Sequence, residues 1–207
     1  MTSEEIFSLL YDNISGSSLS WKARNKMSDD DIKHLIYGEI GFKTLEKIYN
    51  KKSVQPFLKN ISNFCDLGSG TGRIVVGSSL LLPNLKSYSG IELLDELHQK
   101  ATEIKEILSN YRADLSEKIC FIKDSFFNVD LSKFDIIFMH YPMKNAESLY
   151  LELEEKMKKE LKTGAVVISV IRKMKNIDIF PLVKKMSIEA DYGTTTIYYH
   201  VKYEKNS

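Results

Sequence analysis

The sequence predicts an α/β fold: a seven-stranded, mostly parallel, doubly wound sheet with an antiparallel hairpin at one edge and a helical N-terminal extension. From residue 61 onward, short apolar segments of strand length alternate with amphipathic helical segments, which is typical of parallel strands joined by crossover helices. The last two strands have no helical segment between them, so we expect them to pair antiparallel. Residues 1–60 are expected to form a helical cap, and residues 61–207 the core.

The N-terminal extension contains several short helical segments. Ser3 is predicted to cap the first helix, ahead of two glutamates and apolar residues at helical spacing. The serine-rich stretch 13–20 is predicted to be a loop. Further helices are expected to begin near Ser28 and to run over 41–50.

The core follows with alternating elements. Predicted strands cover 61–67, 87–91, 119–123, 135–140, 165–171, 186–189 and 194–203. Predicted helices cover 74–82, 93–110 and 149–161. The apolar character of the strands indicates that both faces of the sheet are covered.

Composition excludes several classes of protein. The 207 residues carry a net charge of +1, which argues against strong nucleic-acid binding. No apolar run approaches the roughly 18 residues of a membrane span, so no membrane association is expected. Cys65 and Cys120 stand among apolar neighbours and are predicted to be reduced, buried thiols of an intracellular protein. A cytoplasmic location is expected, and a nuclear one stays open.

The most informative segment is the glycine-rich loop that follows the first core strand and opens a helix. A dinucleotide-binding Gly-x-Gly-x-x-Gly pattern starting at Gly68 would need glycine at position 73, where the chain has Arg73. The pattern is Asp-x-Gly-x-Gly-x-Gly, and it resembles the S-adenosylmethionine (SAM) loop of class I methyltransferases. The resemblance implies that Asp66 lies beside the methionyl ammonium, with close backbone for the carboxylate. The loop residues expected to bind the cofactor are Asp66, Gly68, Ser69, Gly70, Thr71 and Gly72.

Two further acids end the next two strands. Glu92, twenty residues beyond Gly72, is predicted to accept hydrogen bonds from the ribose hydroxyls of the cofactor. In class I methyltransferases an acid at the position of Asp124 accepts from the adenine amino group, and Ser125 and Phe126 would lie near the ring. The alternative for either acid is a capping role at the start of a helix or in a loop.

A third segment narrows the resemblance. Tyr37-Gly38-Glu39 stands about 30 residues before the glycine loop, as in the disruptor-of-telomeric-silencing lysine methyltransferases, which are class I enzymes without a SET domain. The resemblance implies that Tyr37 and Glu39 belong to a loop closing over SAM, and that Tyr198 in a late strand lines a lysine channel. The family's paired asparagines after the fourth strand are replaced by His140 and Tyr141. The predicted catalytic residues are Tyr37, His140, Tyr141 and Tyr198, and His140 is also expected near the cofactor.

These observations favour a SAM-dependent methyltransferase that modifies lysine on a protein, without a metal. A channel of aromatic side chains would desolvate the lysine and lower its pKa, so that the amine arrives deprotonated. His140 is either a base for a more acidic acceptor or a hydrogen-bonding residue at the strand end. The alternatives are a small-molecule methyltransferase and a non-catalytic SAM-binding subunit. The sequence does not determine the oligomeric state.

Overall fold

The computed structural model describes residues 1–27, 38–140, 146–190 and 193–203. Its seven strands form one sheet in the order β3-β2-β1-β4-β5-β7-β6. The strands are β1 (Asn63–Leu67), β2 (Ser87–Glu92), β3 (Ile119–Lys123), β4 (Ile136–His140), β5 (Val166–Val170), β6 (Leu182–Ala190) and β7 (Gly193–Val201). Strands β1 to β5 are parallel, whereas β7 pairs antiparallel with both β5 and β6. The predicted fold class is confirmed.

Seven helices lie within the described ranges. They are α1 (Ser3–Tyr11), α2 (Gly16–Arg24), α3 (Phe42–Tyr49), α4 (Gln55–Leu58), α5 (Arg73–Leu81), α6 (Asp95–Ser116) and α7 (Glu147–Glu160). None of the helices in these ranges combines the length and the apolar character needed to cross a bilayer. The helix predicted near Ser28 lies outside the described residues.

The two faces of the sheet bury separate apolar clusters because side chains alternate along each strand. One cluster joins residues such as Phe64 and Phe138 to α1, α3, α5 and α6. The other joins residues such as Cys65 and Met139 to α7. The alternation therefore allows helices to pack on both faces of the sheet, which is the doubly wound arrangement. Consecutive residues at the end of a strand point to opposite faces.

Two predictions for the N-terminal extension are wrong. Helix α1 is capped by Thr2 rather than Ser3, because Thr2 and Glu5 exchange hydrogen bonds in a capping box. The stretch 13–20, predicted to be a loop, contains the start of α2. Ser15 caps that helix by accepting a hydrogen bond from a backbone N–H at 3.3 Å. Serine is common at helix N-caps as well as in loops, so the serine-rich stretch is compatible with either. Burial of one side of α2 favours the helix.

One cysteine prediction is also wrong. Both thiols are free and Cys65 is buried, and burial raises the pKa of its thiol. Cys120, however, is exposed. It lies on β3, the edge strand of the sheet, where the neighbouring Ile122 on the same face is only half-buried. The apolar neighbours of Cys120 in the sequence therefore predicted its burial incorrectly. An edge strand has a neighbouring strand on one side only, so its side chains are less completely covered.

The N-terminal helices pack on α5, the helix that opens after the glycine loop. A Cβ added at Gly77 of α5 would lie 2.5 Å from Leu45 Cδ1 and 3.2 Å from Phe7 Cε2, so glycine permits this close helix packing. The Tyr49 hydroxyl is 2.7 Å from the Ser78 hydroxyl, which adds a buried hydrogen bond. The N-terminal helices therefore pack directly against α5, the helix that positions the glycine loop.

Candidate active site

The glycine loop doubles back over the end of β2. Gly68, Gly70 and Gly72 have φ angles of 80°, 55° and 79°, in the left-handed region that favours glycine. The backbone N–H groups of Gly68 and Ser69 both donate to the carbonyl oxygen of Ile91, at 2.9 and 3.0 Å. The sequence of the loop thus fixes a tight turn at the carboxyl edge of the sheet, beside the N-terminus of α5.

Close approach also requires glycine at two positions around this turn. A Cβ at Gly72 would collide with the ring of Phe121 on β3. A Cβ at Gly90 on β2 would lie 2.6 Å from Ser69 Oγ. Both contacts are shorter than real side chains tolerate, so the loop packs against β2 and β3 only with hydrogen at these positions.

Asp66 is the most unusual charged residue of this edge. It lies on β1 between Gly90 and Phe138 of the two neighbouring strands, and it is 1% exposed. Across residues 1–27, 38–140, 146–190 and 193–203, neither carboxylate oxygen has a hydrogen-bond donor. Burial raises the pKa of Asp66 well above its usual range, and nearby Glu92 raises it further. A buried carboxylate without a donor is costly, and a cationic ligand would offset that cost.

Glu92 is the last residue of β2 and holds the loop in place. Its Oε2 accepts from the Gly70 N–H and its Oε1 from the Leu94 N–H, both at 2.7 Å. Burial raises the pKa of Glu92, although these backbone hydrogen bonds oppose the shift. Each carboxylate oxygen can accept a second hydrogen bond. The geometry therefore leaves acceptor capacity for ribose hydroxyls, and that role stays a prediction.

Asp124 lies next to Glu92, just after β3. Its N–H donates to the Glu92 carbonyl at 3.2 Å. Its Oδ1 accepts from the Ser125 N–H at 2.7 Å and from Asn128 Nδ2 at 2.9 Å, so it caps the turn. Phe126 is half-buried in the same turn. The structure places these residues at the predicted edge, and their contact with adenine stays a prediction.

His140 ends β4 and packs against the first described residue of the Tyr-Gly-Glu segment. A Cβ on Gly38 would lie 2.6 Å from His140 Cε1 and 3.1 Å from its Nδ1, so the imidazole rests on the glycine backbone. Burial lowers the pKa of His140 to about 4, and a hydrogen bond with the Gly38 backbone only partly opposes this shift. His140 is therefore neutral at physiological pH. The predicted catalytic residues Tyr37 and Tyr141 lie outside the described residues.

Glu39 belongs to a network that sequence reasoning missed. Its Oε1 accepts from the Gly16 N–H at 3.0 Å, and its Oε2 lies 3.6 Å from Arg73 Nη2. Arg73 Nη2 also donates to the Tyr11 carbonyl at 3.2 Å, and the Tyr11 hydroxyl donates to the Thr71 carbonyl at 3.3 Å. The one available signal was Arg73 itself, a cation at the first residue after the glycine loop. The role of Tyr11 had no signal in the sequence.

Tyr198 lies apart from His140. It pairs with Ser169 of β5, and alternation places it on the α7 face of the sheet. His140 follows Phe138 on the opposite face. The Lys185 ammonium is 5.8 Å from the centroid of the Tyr198 ring. The structure therefore does not bring Tyr198 and His140 onto one face, and the place of Tyr198 in a channel stays a prediction.

The residues present fit S-adenosylmethionine. The buried carboxylate of Asp66 suits an ammonium, and Glu92 suits a ribose. A Cβ built on Gly68 would meet no atom of the described residues within 4 Å, so the loop backbone faces open space there. The strand order together with this loop defines the fold of the class I SAM-dependent methyltransferases. S-adenosyl-L-methionine is the cofactor of that class.

Comparison with known proteins identifies the family within the class. The sequence model of the family described as "Histone methylation protein DOT1" matches residues 22–189, and the chain belongs to that family. A protein-lysine N-methyltransferase of Saccharolobus islandicus (strain REY15A) is 32% identical over 105 residues. That match covers 50% of this chain and 58% of the relative, so the chain aligns with little more than half of the relative's length.

Solved structures share the fold at low identity. An RNA methyltransferase from Salinibacter ruber, in complex with S-adenosyl-L-homocysteine, superposes with a TM-score of 0.57 and 18% identity, covering 80% of this chain and 92% of that one. The magnesium protoporphyrin IX methyltransferase from Synechocystis PCC 6803, with bound SAM, gives 0.59 and 12% identity, covering 92% and 98%. These titles name different acceptors, so the shared fold alone does not indicate what is methylated.

Proposed function

We propose that this protein transfers a methyl group from SAM to the ε-amine of a lysine on a protein. Membership of the "Histone methylation protein DOT1" family and the likeness to a protein-lysine N-methyltransferase support this acceptor. The net charge of +1 over the 207 residues favours a protein lysine that is reached without a strong contact to nucleosomal DNA.

The observation that carries the proposal is the contact between Gly38 and His140. It brings Gly38 to the end of β4. Gly38 belongs to the Tyr-Gly-Glu sequence, which distinguishes the resemblance to lysine methyltransferases from the resemblance to the wider class. Asp66 lies beside β4 on the same sheet edge, in register with Phe138. Gly38 and the proposed cofactor residues therefore lie at the same edge of the sheet.

The chain's residues divide the work of the reaction. When bound, SAM supplies a methyl group on a sulfonium, whose carbon–sulfur bond breaks as the nitrogen–carbon bond forms and S-adenosyl-L-homocysteine (SAH) leaves. Asp66 and Glu92 hold and orient the cofactor, and positioning of this kind supplies much of the rate in a direct displacement. The lysine must lose its proton to water before it attacks, because its lone pair forms the new bond.

His140 is a poor base for this proton. A group with a pKa of about 4 holds a proton only weakly at neutral pH, so it gives little help to an acceptor that must be deprotonated in the transition state. An amine that arrives neutral through desolvation does not need such help. The neutral imidazole suits a hydrogen bond to the acceptor better than proton removal, which favours an amine over a hydroxyl or thiol acceptor.

Transfer of radiolabelled methyl groups tests the proposal. The purified protein is incubated with methyl-labelled SAM and, separately, with core histones, nucleosomes and fractionated cell lysate. We expect label in protein that survives RNase and is lost on protease treatment, with mass spectrometry locating it on lysine. At a SAM concentration near the wild-type Kd, Asp66→Asn should transfer much less label than the wild type, whereas Asp135→Asn, at the opposite edge of the sheet, should transfer at the wild-type rate.

The same assay identifies the competing functions. Label that is lost on RNase treatment indicates an RNA acceptor, and label confined to small molecules indicates a metabolite acceptor. Either result would overturn the lysine proposal. SAM binding without any transfer in all fractions would indicate the non-catalytic alternative.

A further inference from the structure

Residues 38–40, here called the strap, join the two sides of the candidate site. Gly38 packs against the imidazole of His140 at the end of β4. Glu39 lies 3.6 Å from Arg73, the residue that opens α5 after the glycine loop. Ile40 is 1% exposed and anchors the strap in the core. The strap therefore contacts His140 at the end of β4, Arg73 beside the glycine loop, and the apolar core.

Arg73 is fixed by more than the strap. Its Nη2 donates to the carbonyl oxygen of Tyr11, the last residue of α1, at 3.2 Å and to that of Ile14, just beyond the helix, at 3.4 Å. A cation at this end of a helix is favoured by the helix dipole. The guanidinium carbon lies 4.8 Å from the centroid of the Tyr11 ring. Since the Tyr11 hydroxyl also donates to Thr71 in the glycine loop, the loop, α1 and Arg73 form one connected unit.

The ion pair between Arg73 and Glu39 is sheltered from water. The two side chains are 15% and 32% exposed, and Glu39 Oε1 is further held by the Gly16 N–H. Another ion pair of the same cap, Lys43 with Glu4, is 74% and 52% exposed. Exposed pairs of that kind contribute little, whereas a partly buried pair with supporting hydrogen bonds fixes geometry. The exposed pair is therefore a matched control.

We propose that Arg73 is a positioning residue that holds the strap against His140 through Glu39, so that cofactor occupancy of the glycine loop is transmitted to the end of β4. Glu39 then acts on the cofactor through Arg73 and not by direct contact. This inference shares one assumption with the proposed function, that the cofactor binds at the glycine loop. It does not depend on which methyl acceptor is used.

Histidine NMR with SAH as the probe tests the proposal. The chain has four histidines, so 13Cε1 labelling gives few signals, and loss of one signal in His140→Gln assigns it. SAH should shift the His140 signal in the wild type and leave the signal of His200, buried at the far side of the sheet, unchanged. Arg73→Gln and Glu39→Gln should each abolish most of that shift, and Arg73→Lys should restore part of it.

Binding measured by calorimetry gives an independent readout. Each single variant should weaken SAH binding by about 5- to 10-fold, within the usual range for coupled sites. The double variant should bind no more weakly than the weaker of the two single variants, because both changes break the ion pair through which Glu39 is proposed to act. Glu4→Gln and Lys43→Gln should match the wild type in affinity and in the His140 shift. Circular dichroism confirms that each variant is folded.

Other outcomes would overturn the inference in distinguishable ways. Losses that multiply in the double variant would mean that Glu39 and Arg73 act separately, as direct cofactor contact by Glu39 requires. A His140 shift of wild-type size in Arg73→Gln would show that the strap transmits nothing. A wild-type protein that binds no SAH would overturn the proposed function together with this inference.

Discussion

Replacing Asp66 by asparagine should raise the stability of the free protein and lower its affinity for SAM. The change keeps the shape of the side chain and removes a charge that has no donor among the described residues. An uncompensated buried charge costs about 3–5 kcal/mol, whereas an unpaired buried amide costs about 1–3 kcal/mol. The difference predicts a gain of about 2 kcal/mol in the free energy of unfolding. For a domain of this size that corresponds to a rise in Tm of about 4–8 °C.

The pH dependence of the gain has a definite sign. Burial raises the pKa of Asp66, so in the range between about pH 3.9 and the raised pKa the folded protein binds more protons than the unfolded chain. The stability contribution of Asp66 therefore decreases as the pH rises through that range. Asp66→Asn removes this part of the slope, and its advantage over the wild type should be larger at pH 8 than at pH 5.

Cofactor binding should change in the opposite direction. The substitution removes the charge-assisted hydrogen bond expected between the carboxylate and the methionyl ammonium, worth about 1.5–3 kcal/mol. Since about 1.4 kcal/mol corresponds to a factor of ten, the Kd for SAM should rise about 10- to 150-fold. Differential scanning calorimetry of the free protein and isothermal titration with SAM measure the two effects.

Asp135 provides the matched control because it is also partly buried and lies at the opposite, amino edge of the sheet. Its Oδ2 accepts from the backbone N–H groups of Ser62 and Asn63, at 2.9 and 2.8 Å, and its Oδ1 lies 2.5 Å from Lys162 Nζ. Asp135→Asn should therefore destabilise the protein by about 1–3 kcal/mol and leave SAM binding unchanged. If Asp66→Asn lowered Tm in the same way and bound SAM within about twofold of the wild type, the reasoning about the site would be refuted.

Three further predictions follow from the described residues. Gly72→Ala combines a left-handed φ with a collision against Phe121, so urea unfolding should show a loss of about 2–4 kcal/mol; a loss below about 0.5 kcal/mol would contradict the packing argument. The pKa of His140 is lowered to about 4, so the folded state binds fewer protons and stability should fall as the pH drops from about 6.5 towards 4; His140→Gln should flatten that part of the urea-midpoint profile. A thiol reagent should label Cys120 rapidly in the native protein and Cys65 only after denaturation, and fast labelling of both would contradict the burial of Cys65.

The sequence was most informative where local pattern and burial agree. The strand predicted over 119–123 matches β3, and the other parallel strands begin or end within two residues of their predicted bounds. Such strands are apolar because both faces are buried, so their composition records the fold directly. The glycine loop was equally legible, since left-handed φ angles and close approach leave few alternatives to glycine.

The predictions that were wrong or incomplete depend on contacts between distant parts of the chain. The exposure of Cys120 follows from the position of β3 at the sheet edge, which the sequence of β3 does not encode. The hydrogen bond from Tyr11 to Thr71 and the pairing of Glu39 with Arg73 join residues more than thirty positions apart. No local periodicity marks such pairs, because each partner satisfies the local rules of its own element without the other.

The charged groups at the carboxyl edge indicate which kind of ligand the site is built to receive. Burial raises the pKa values of Asp66 and Glu92, and Glu92 raises that of Asp66 further, so the free protein keeps two acids close together at an energetic cost. Burial lowers the pKa of His140, which keeps this side chain at the same edge neutral rather than cationic. Both effects make the edge favour an added positive charge. A ligand with an ammonium and a sulfonium would relieve the repulsion between the acids, and its loss of the sulfonium charge on transfer would weaken that relief and favour release of the product.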